Sequence, residues 1–138
     1  MSNNVVFLGG GGHSLVCADI LNQNPEFNLA GFVDKNPNAI LGQNGYKYFG
    51  NDEMLENLIA NKFSFFIAFG QLTSPRKRID IYNKIISLGG KFIILISKNS
   101  FVSPSANVDK GTIIMNGTVV NAKSVIGKNC IINTNAII

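Results

Sequence analysis

Two rhythms of apolar and polar positions divide this chain. Up to Ser97, short continuous apolar runs alternate with stretches of helical spacing. Val5 to Leu8 predicts a buried strand, and His13 to Gln23 predicts a helix carrying Leu15, Val16, Ala18 and Ile20 at helical intervals. Phe27 to Val33 predicts a second strand, ending at Asp34. Residues 34–46, rich in Asn, Gly and Pro, predict a loop, followed by a short strand over 46–49. Residues 51–62 predict a helix whose first-turn acids suit the helix dipole. Residues 63–70 predict a buried strand. A helix comes next over 73–90, opened by a capping residue with Pro75 and closed by Gly89 and Gly90. Residues 91–96 predict one more strand. Strands separated by helices imply a mainly parallel sheet with helices on its faces, an α/β fold of Rossmann-like type.

After Ser97 the beat changes. Val102, Val108, Ile114, Val120, Ile126, Ile132 and Ile138 fall at every sixth residue. A small residue stands four places after each of the first six: Ala106, Thr112, Thr118, Ser124, Cys130 and Ala136. A period of six is the signature of a parallel β-helix. Each hexapeptide makes one flat face of a triangular prism, with the aliphatic residue inside and the small one near a corner. Three hexapeptides close one coil, so 102–138 supplies about two coils. A meander would instead show alternation with turn signals about every 8–12 residues. The expected organisation is therefore an α/β domain over 1–97 and the first coils of a β-helix over 98–138. Repeats of this kind want about three or more coils for stability. The pattern stops at Ile138 in mid-beat, so the expectation is a fragment of a longer chain, or an open end covered by partner subunits.

Composition narrows the class. With 46% hydrophobic and 14% charged residues in 138, the chain is globular rather than disordered. No apolar run reaches the roughly 18 uncharged residues of a membrane span, and no signal peptide is visible. Membrane association is not expected. Cys17 and Cys130 form no motif with the lone His13, so neither a metal site nor a disulfide is expected, and a reducing cytoplasm suits the chain. The net charge of +4 is uneven: residues 1–60 hold two lysines against six acids, residues 61–138 ten Lys and Arg against two acids. Such a basic half either attracts an anion or is a solvated face. Aromatics among the basic residues are sparse and no nucleic-acid motif is present, so no nucleic-acid partner is expected.

The candidate chemistry lies in "GGGGHS", between the first strand and the first helix. A glycine turn there lets a ligand approach the backbone, and the helix N-terminus offers unpaired N–H groups to an anion, above all a phosphate. Asp34, 25 residues after Gly9, stands where an acid commonly accepts from a ribose hydroxyl. The match to G-x-G-x-x-G is partial, since Ser14 occupies the third glycine position when counting from Gly9. A permissive turn without a ligand is the alternative, as is a purely structural His13. Gly70 and Gln71 open a second loop at the carboxyl end of a strand. The succeeding Arg76 to Arg78 either face the same crevice or form a solvated helix turn.

Taken together, "GGGGHS", "FVD", "FIAFG", "FVSPSANV" and "NAKSVIGKNCIINTNAII" resemble the bacterial sugar O-acyltransferase family of the sialic acid O-acetyltransferase (NeuD) and UDP-amino-sugar N-acetyltransferase (PglD) type. The resemblance spans all 138 residues. It implies a Rossmann-like domain that holds a nucleotide sugar, and a left-handed parallel β-helix that binds acetyl-CoA between subunits of a homotrimer. It implies Gly10, Gly11, Gly12, His13 and Ser14 along the diphosphate, Asp34 at the uridine, Gly70 and Gln71 lining its pocket, and Asn133 near the acceptor group of the sugar. Family members usually continue past the equivalent of Ile138 with an acid and the catalytic histidine. The resemblance therefore implies a chain that binds a UDP-linked sugar without transferring acetyl groups, and no catalytic residue among these 138.

The leading expectation is an acetyl-CoA-dependent N-acetyltransferase for a UDP-linked 4-amino sugar in glycan synthesis. A sialic acid O-acetyltransferase shares the motifs. A non-catalytic nucleotide-binding module is a second class. An NAD-dependent oxidoreductase is a third, disfavoured because the chain has no room for a substrate domain and no evident catalytic Tyr/Lys or Cys pair.

Overall fold

The computed structural model describes residues 3–71 and 73–138. The first strands and helices match the sequence closely: β1 (Asn3–Leu8), α1 (Gly12–Asn22) and β2 (Phe27–Val33). A short helix α2 (Ile40–Gln43) sits within the stretch read as loop. A 3₁₀ turn over Asp52–Met54 leads into α3 (Leu55–Ala60), then come β3 (Ser64–Ile67) and α4 (Arg76–Ser87). The turn is capped by Asn51, whose side chain accepts from the N–H of Glu53 at 2.9 Å.

β1 lies at the centre of a parallel sheet of order β2-β1-β3. Single bridges extend both edges, Phe32 to Tyr48 and Phe65 to Phe92. The strand expected over 46–49 thus reduces to one paired residue, Tyr48. The chain leaves β1 toward β2 on one side and returns to β3 on the other, so the strand order reverses at the carboxyl end of β1. That reversal opens a crevice above the glycine loop.

Two apolar layers cover the sheet. On one face Leu55, Leu58 and Ile85 of α3 and α4 pack with Val6, Phe65 and Ile67. On the other, Cys17, Ile20 and Leu21 of α1 pack with Phe7, Phe32 and Phe66, and the cluster continues without a break into Leu95, Ile113 and Met115. α1 is apolar on more than one side because it is enclosed between this sheet and the C-terminal repeats.

Those repeats form a left-handed hexapeptide prism. Its faces are stacks of two-residue parallel strands. β4 (Leu95–Ile96), β7 (Ile113–Ile114) and β10 (Ile131–Ile132) form one face, β5 (Phe101–Val102) and β8 (Val119–Val120) the second, β6 (Asn107–Val108) and β9 (Val125–Ile126) the third. Leu95 pairs with Ile113 and Ile113 with Ile131, which sets eighteen residues per coil. Ile114, Val120 and Ile126 fill the interior, flanked by Val102, Ala106, Val108, Cys130 and Ile132. The small position has a further role: Thr112 and Thr118 are fully buried, and their hydroxyls donate to the carbonyls of Gly127 (2.7 Å) and Asn133 (3.1 Å) in the next coil.

Two features of the prism differ from the sequence reading. The apolar run over 91–96 is divided: Phe92 closes the edge of the α/β sheet, whereas Leu95 and Ile96 pair with the prism. Ile96 is one six-residue step before Val102, so the beat starts a step earlier than read. The repeat also contains a third position. Gly111, Gly117, Lys123, Asn129 and Asn135, again six apart, all take positive φ, between 57° and 78°. This left-handed residue turns the five corners from Gly111 onward, and Gly and Asn are the residues that tolerate it best.

Candidate functional site

The glycine loop is held from behind. Gly9 takes φ +100° and its N–H donates to Val33 O at 2.8 Å. Asp34, just after β2, accepts the Gly10 N–H on Oδ2 at 2.8 Å and the Asn36 N–H on Oδ1 at 2.9 Å. A side chain at residue 10 is not tolerated: a Cβ there would lie 2.7 Å from the Phe32 ring. By contrast Gly11 and Gly12 are exposed and face open space. Gly11 is the N-cap of α1, no side chain caps the helix and no acid stands in its first turn. The amino end of α1 is thereby left open to a ligand with its positive partial charge unopposed. Ser14 is fully buried and its hydroxyl donates to the Gly11 carbonyl, so it braces the turn from inside.

His13 stands at the mouth of this loop. Its Nε2 is buried and has no hydrogen-bond partner. Its pKa lies below the ordinary 6.5, first because burial disfavours the charged ring and second because Arg78 is close. The imidazole is therefore neutral at neutral pH. Gly70 is adjacent, since a Cβ placed there would approach His13 Cγ to 4.0 Å.

The basic run at the start of α4 left two readings open, the crevice or a solvated turn, and they divide within it: Arg78 is 3% exposed and lines the cleft, whereas Arg76 is exposed. Its Nη1 donates to the Phe69 carbonyl at 2.6 Å and, more weakly, to Ile67 O at 3.4 Å. Its Nη2 donates to Asn129 Oδ1 at 2.6 Å and to Asn129 O at 3.4 Å, while Asn129 Nδ2 donates back to Arg78 O at 3.3 Å. All these acceptors are neutral. Among the described residues the single salt bridge is the exposed Arg76–Asp80 pair, so no carboxylate offsets Arg78. Burial accordingly pulls its pKa below the ordinary guanidinium value. A buried cation without an anion is energetically poor by itself and becomes favourable when a ligand supplies the charge.

These pieces meet in a cleft of about 720 Å³ between the α/β unit and the prism. His13, Gly70, Gln71 and Arg78 line one wall and residues 129–133 line the other. The structure thus brings His13, Gly70, Gln71 and Asn133 together from distant points of the chain. Gly10, Ser14 and Asp34 are not on the cleft surface; they shape the loop behind it. Gly11 and Gly12 lead directly into His13 at the open end of α1. Cys130 lines the prism wall, whereas Cys17 is sealed in the core, where burial pushes its thiol up to about 12. Among the described residues no cluster of His, Cys, Asp or Glu is arranged to hold a metal ion, and no helix is long and apolar enough to cross a membrane.

Known proteins share this architecture. The family described as PglD N-terminal domain matches residues 4–85. No curated protein matches the chain in sequence. Among solved structures, PerB from Caulobacter crescentus in complex with CoA and GDP-perosamine is 33% identical, with a TM-score of 0.86 over 99% of this chain and 62% of that one. A variant of perosamine N-acetyltransferase from the same organism, with one histidine replaced by asparagine and the same two ligands, is 34% identical at a TM-score of 0.86, over 99% and 62%. The acetyltransferase domain of PglB from Neisseria gonorrhoeae in complex with acetyl coenzyme A is 29% identical at a TM-score of 0.88, over 100% and 65%. This chain therefore spans a little under two thirds of the length of these proteins.

Proposed function

The chain belongs to the family of the PglD N-terminal domain, and on that basis we propose that it serves a CoA-dependent acetyltransferase acting on a nucleotide-linked amino sugar in bacterial glycan synthesis. The observation that carries this reading is the cleft itself. An uncapped helix end, an unpartnered imidazole nitrogen and a buried guanidinium without a carboxylate converge on this one opening. A diphosphate supplies the missing charge. On this reading Gly11, Gly12 and His13 form its seat, while Gly10, Ser14 and Asp34 hold the loop in shape from behind. Gly70 and Gln71 line the nucleoside side, and Asn133 extends from the prism wall toward the sugar.

The reaction is attack of the sugar nitrogen on the thioester carbonyl of acetyl-CoA. A C–N bond forms, the C–S bond breaks, CoA leaves as thiol, and a base removes the proton from nitrogen. His13 is the one histidine of these residues, and it serves the diphosphate rather than this proton. Residues 1–138 alone are therefore proposed to bind the nucleotide sugar and not to turn over acetyl-CoA. Assembly as a homotrimer in the cytoplasm, with acetyl-CoA between prisms, is part of the same proposal. UDP is the proposed nucleotide; the GDP-perosamine bound to PerB favours GDP as the second reading.

Thermal denaturation with UDP, a UDP-linked amino sugar, GDP-perosamine, CMP-sialic acid and NAD tests this. A true ligand at about 100 times its dissociation constant stabilises the fold by about 2.7 kcal/mol. Stabilisation by a UDP- or GDP-linked amino sugar above that by CMP-sialic acid supports the reading. A shift with NAD alone overturns it. Steady release of CoA by residues 1–138 with an amino-sugar nucleotide overturns the stated division of labour.

A further inference from the structure

We propose that Arg78 is a positioning residue that sets the prism wall at a fixed distance from the nucleotide loop, and so determines how much of the affinity for a nucleotide sugar comes from its sugar. The inference rests on the nucleotide-sugar reading of the cleft. Two segments converge on this one guanidinium, and one of them also bonds back to the Arg78 backbone. Its Nη1 holds the carbonyl of Phe69, which precedes Gly70 and Gln71 on the nucleotide side of the cleft. Its Nη2 holds Asn129, which starts the prism wall of residues 129–133 on the sugar side. The carbonyl of Arg78, in the first turn of α4, accepts in return from Asn129 Nδ2.

Asn129 is suited to be the far end of this clamp. It occupies a left-handed corner at φ 57°, and its N–H is fixed to Lys110 O at 2.9 Å in the preceding coil. Its side chain therefore projects from a backbone whose position is already determined. The chain runs on from it directly into Cys130, Ile131 and Asn133 at the cleft. A displacement at Asn129 is transmitted along that short rigid strand to the sugar-facing edge. The opposite end of the junction is independently tied: Gln23, past the end of α1, accepts the Lys98 N–H at 2.7 Å. The prism is thus also held away from the cleft, and of these two hydrogen-bonded points the Arg78 one borders it.

The planar fork matters as well as the charge. Lysine keeps the cation near the diphosphate but cannot hold Phe69 O and Asn129 Oδ1 in fixed geometry at once. Arg78→Lys therefore separates the two contributions. Asn129→Gly does the same from the other side, because glycine keeps the left-handed corner without strain while removing both side-chain bonds.

The test measures calorimetric affinity of the chain for UDP and for a UDP-linked amino sugar, with GDP and GDP-perosamine as a parallel pair. The ratio of the two affinities reports the contribution of the sugar. Wild-type protein is expected to bind the nucleotide sugar more tightly than the bare diphosphate. In Asn129→Gly, affinity for the bare diphosphate stays within about threefold while the sugar contribution falls about tenfold; Arg78→Lys lowers the sugar contribution by the same factor, and the double variant loses no more of that contribution than either single one. Circular dichroism confirms that Asn129→Gly remains folded. Equal weakening of both ligands, an unchanged ratio, or a wild-type ratio of one overturns the positioning role while leaving the diphosphate site in place. No binding of either nucleotide by wild-type protein overturns the site itself and this inference with it.

Discussion

The α/β half and the prism solve the same problem, burying enough apolar surface, by opposite means. In the α/β half a few large side chains touch across long sequence distances: Phe7, Phe32, Phe65 and Phe66 are all fully buried, and the Phe7 and Phe66 rings sit 5.8 Å apart. In the prism the interior is narrow and is filled by repetition of a modest aliphatic residue, Ile114, Val120 and Ile126. A core of few large groups is sensitive at each position. A repeat is sensitive wherever its period is interrupted, including at corners that bury little. The site lies where the two strategies meet, at Arg78 and Asn129, and neither pattern announces it.

The largest effect is expected from Phe66→Ala, which should destabilise the fold by about 3–5 kcal/mol in chemical denaturation. Because Phe66 shares its cluster with Leu95, Ile113 and Met115, the loss should loosen the prism seat together with the sheet. Ile114→Ala, in the separate cluster inside the prism, should cost about 2–3 kcal/mol. Hydrogen exchange should then show the opening concentrated in the prism, with the α/β sheet still protected. Exchange spreading evenly through both halves in the Ile114 variant would erase the distinction.

Corner substitutions probe the repeat without touching its interior. Gly117→Ala places a Cβ on a residue at φ +73° and drives it into Asn135 Oδ1 of the next coil. A loss of about 1–2 kcal/mol is expected although the site is exposed. Lys123→Gly, at φ 60°, should go the other way and raise the melting temperature slightly, by an equivalent of about 0.5 kcal/mol. If both changes were neutral, the left-handed corner would not be part of what the repeat specifies.

The smallest effect is one of pH. His13 has its folded-state pKa below 6.5, from burial and from Arg78. The unfolded chain therefore takes up this proton first as pH falls, so stability is intact above pH 6.5 and declines below it, down to the folded pKa. His13→Gln should flatten this part of the stability–pH curve. An unaltered slope would place the titrating group elsewhere.

The same contrast governs what was legible in the sequence. The period of six exposed the prism because local spacing alone decides which residues point inward. β1 was legible for a similar reason, through the continuous apolar run Val5–Leu8. Residues 91–96 were not, because an apolar run does not say which neighbour it will pair with, and here it pairs with two. α2 was hidden by the Asn and Gly around it, and it stands because Leu41 is fully buried and its N–H donates to Gly10 O at 2.9 Å. Of the candidate site, the glycine loop and His13 were legible as a local motif. Arg78 was not, because its burial depends on Asn129, 51 residues away. The corner position was readable in principle: Gly, Gly, Lys, Asn and Asn recur six apart at 111, 117, 123, 129 and 135.

The functional assignment stands or falls on whether the opening in front of His13 seats the diphosphate of a nucleotide sugar. Because the chain has a single histidine, its imidazole nitrogens can be followed by NMR without ambiguity while a UDP-linked amino sugar is titrated in. A saturable shift of the His13 Nε2 signal is expected, with a rise in the imidazole pKa on binding as the ligand's negative charge offsets Arg78. Saturable binding by calorimetry with the His13 signals and pKa unmoved would contradict it.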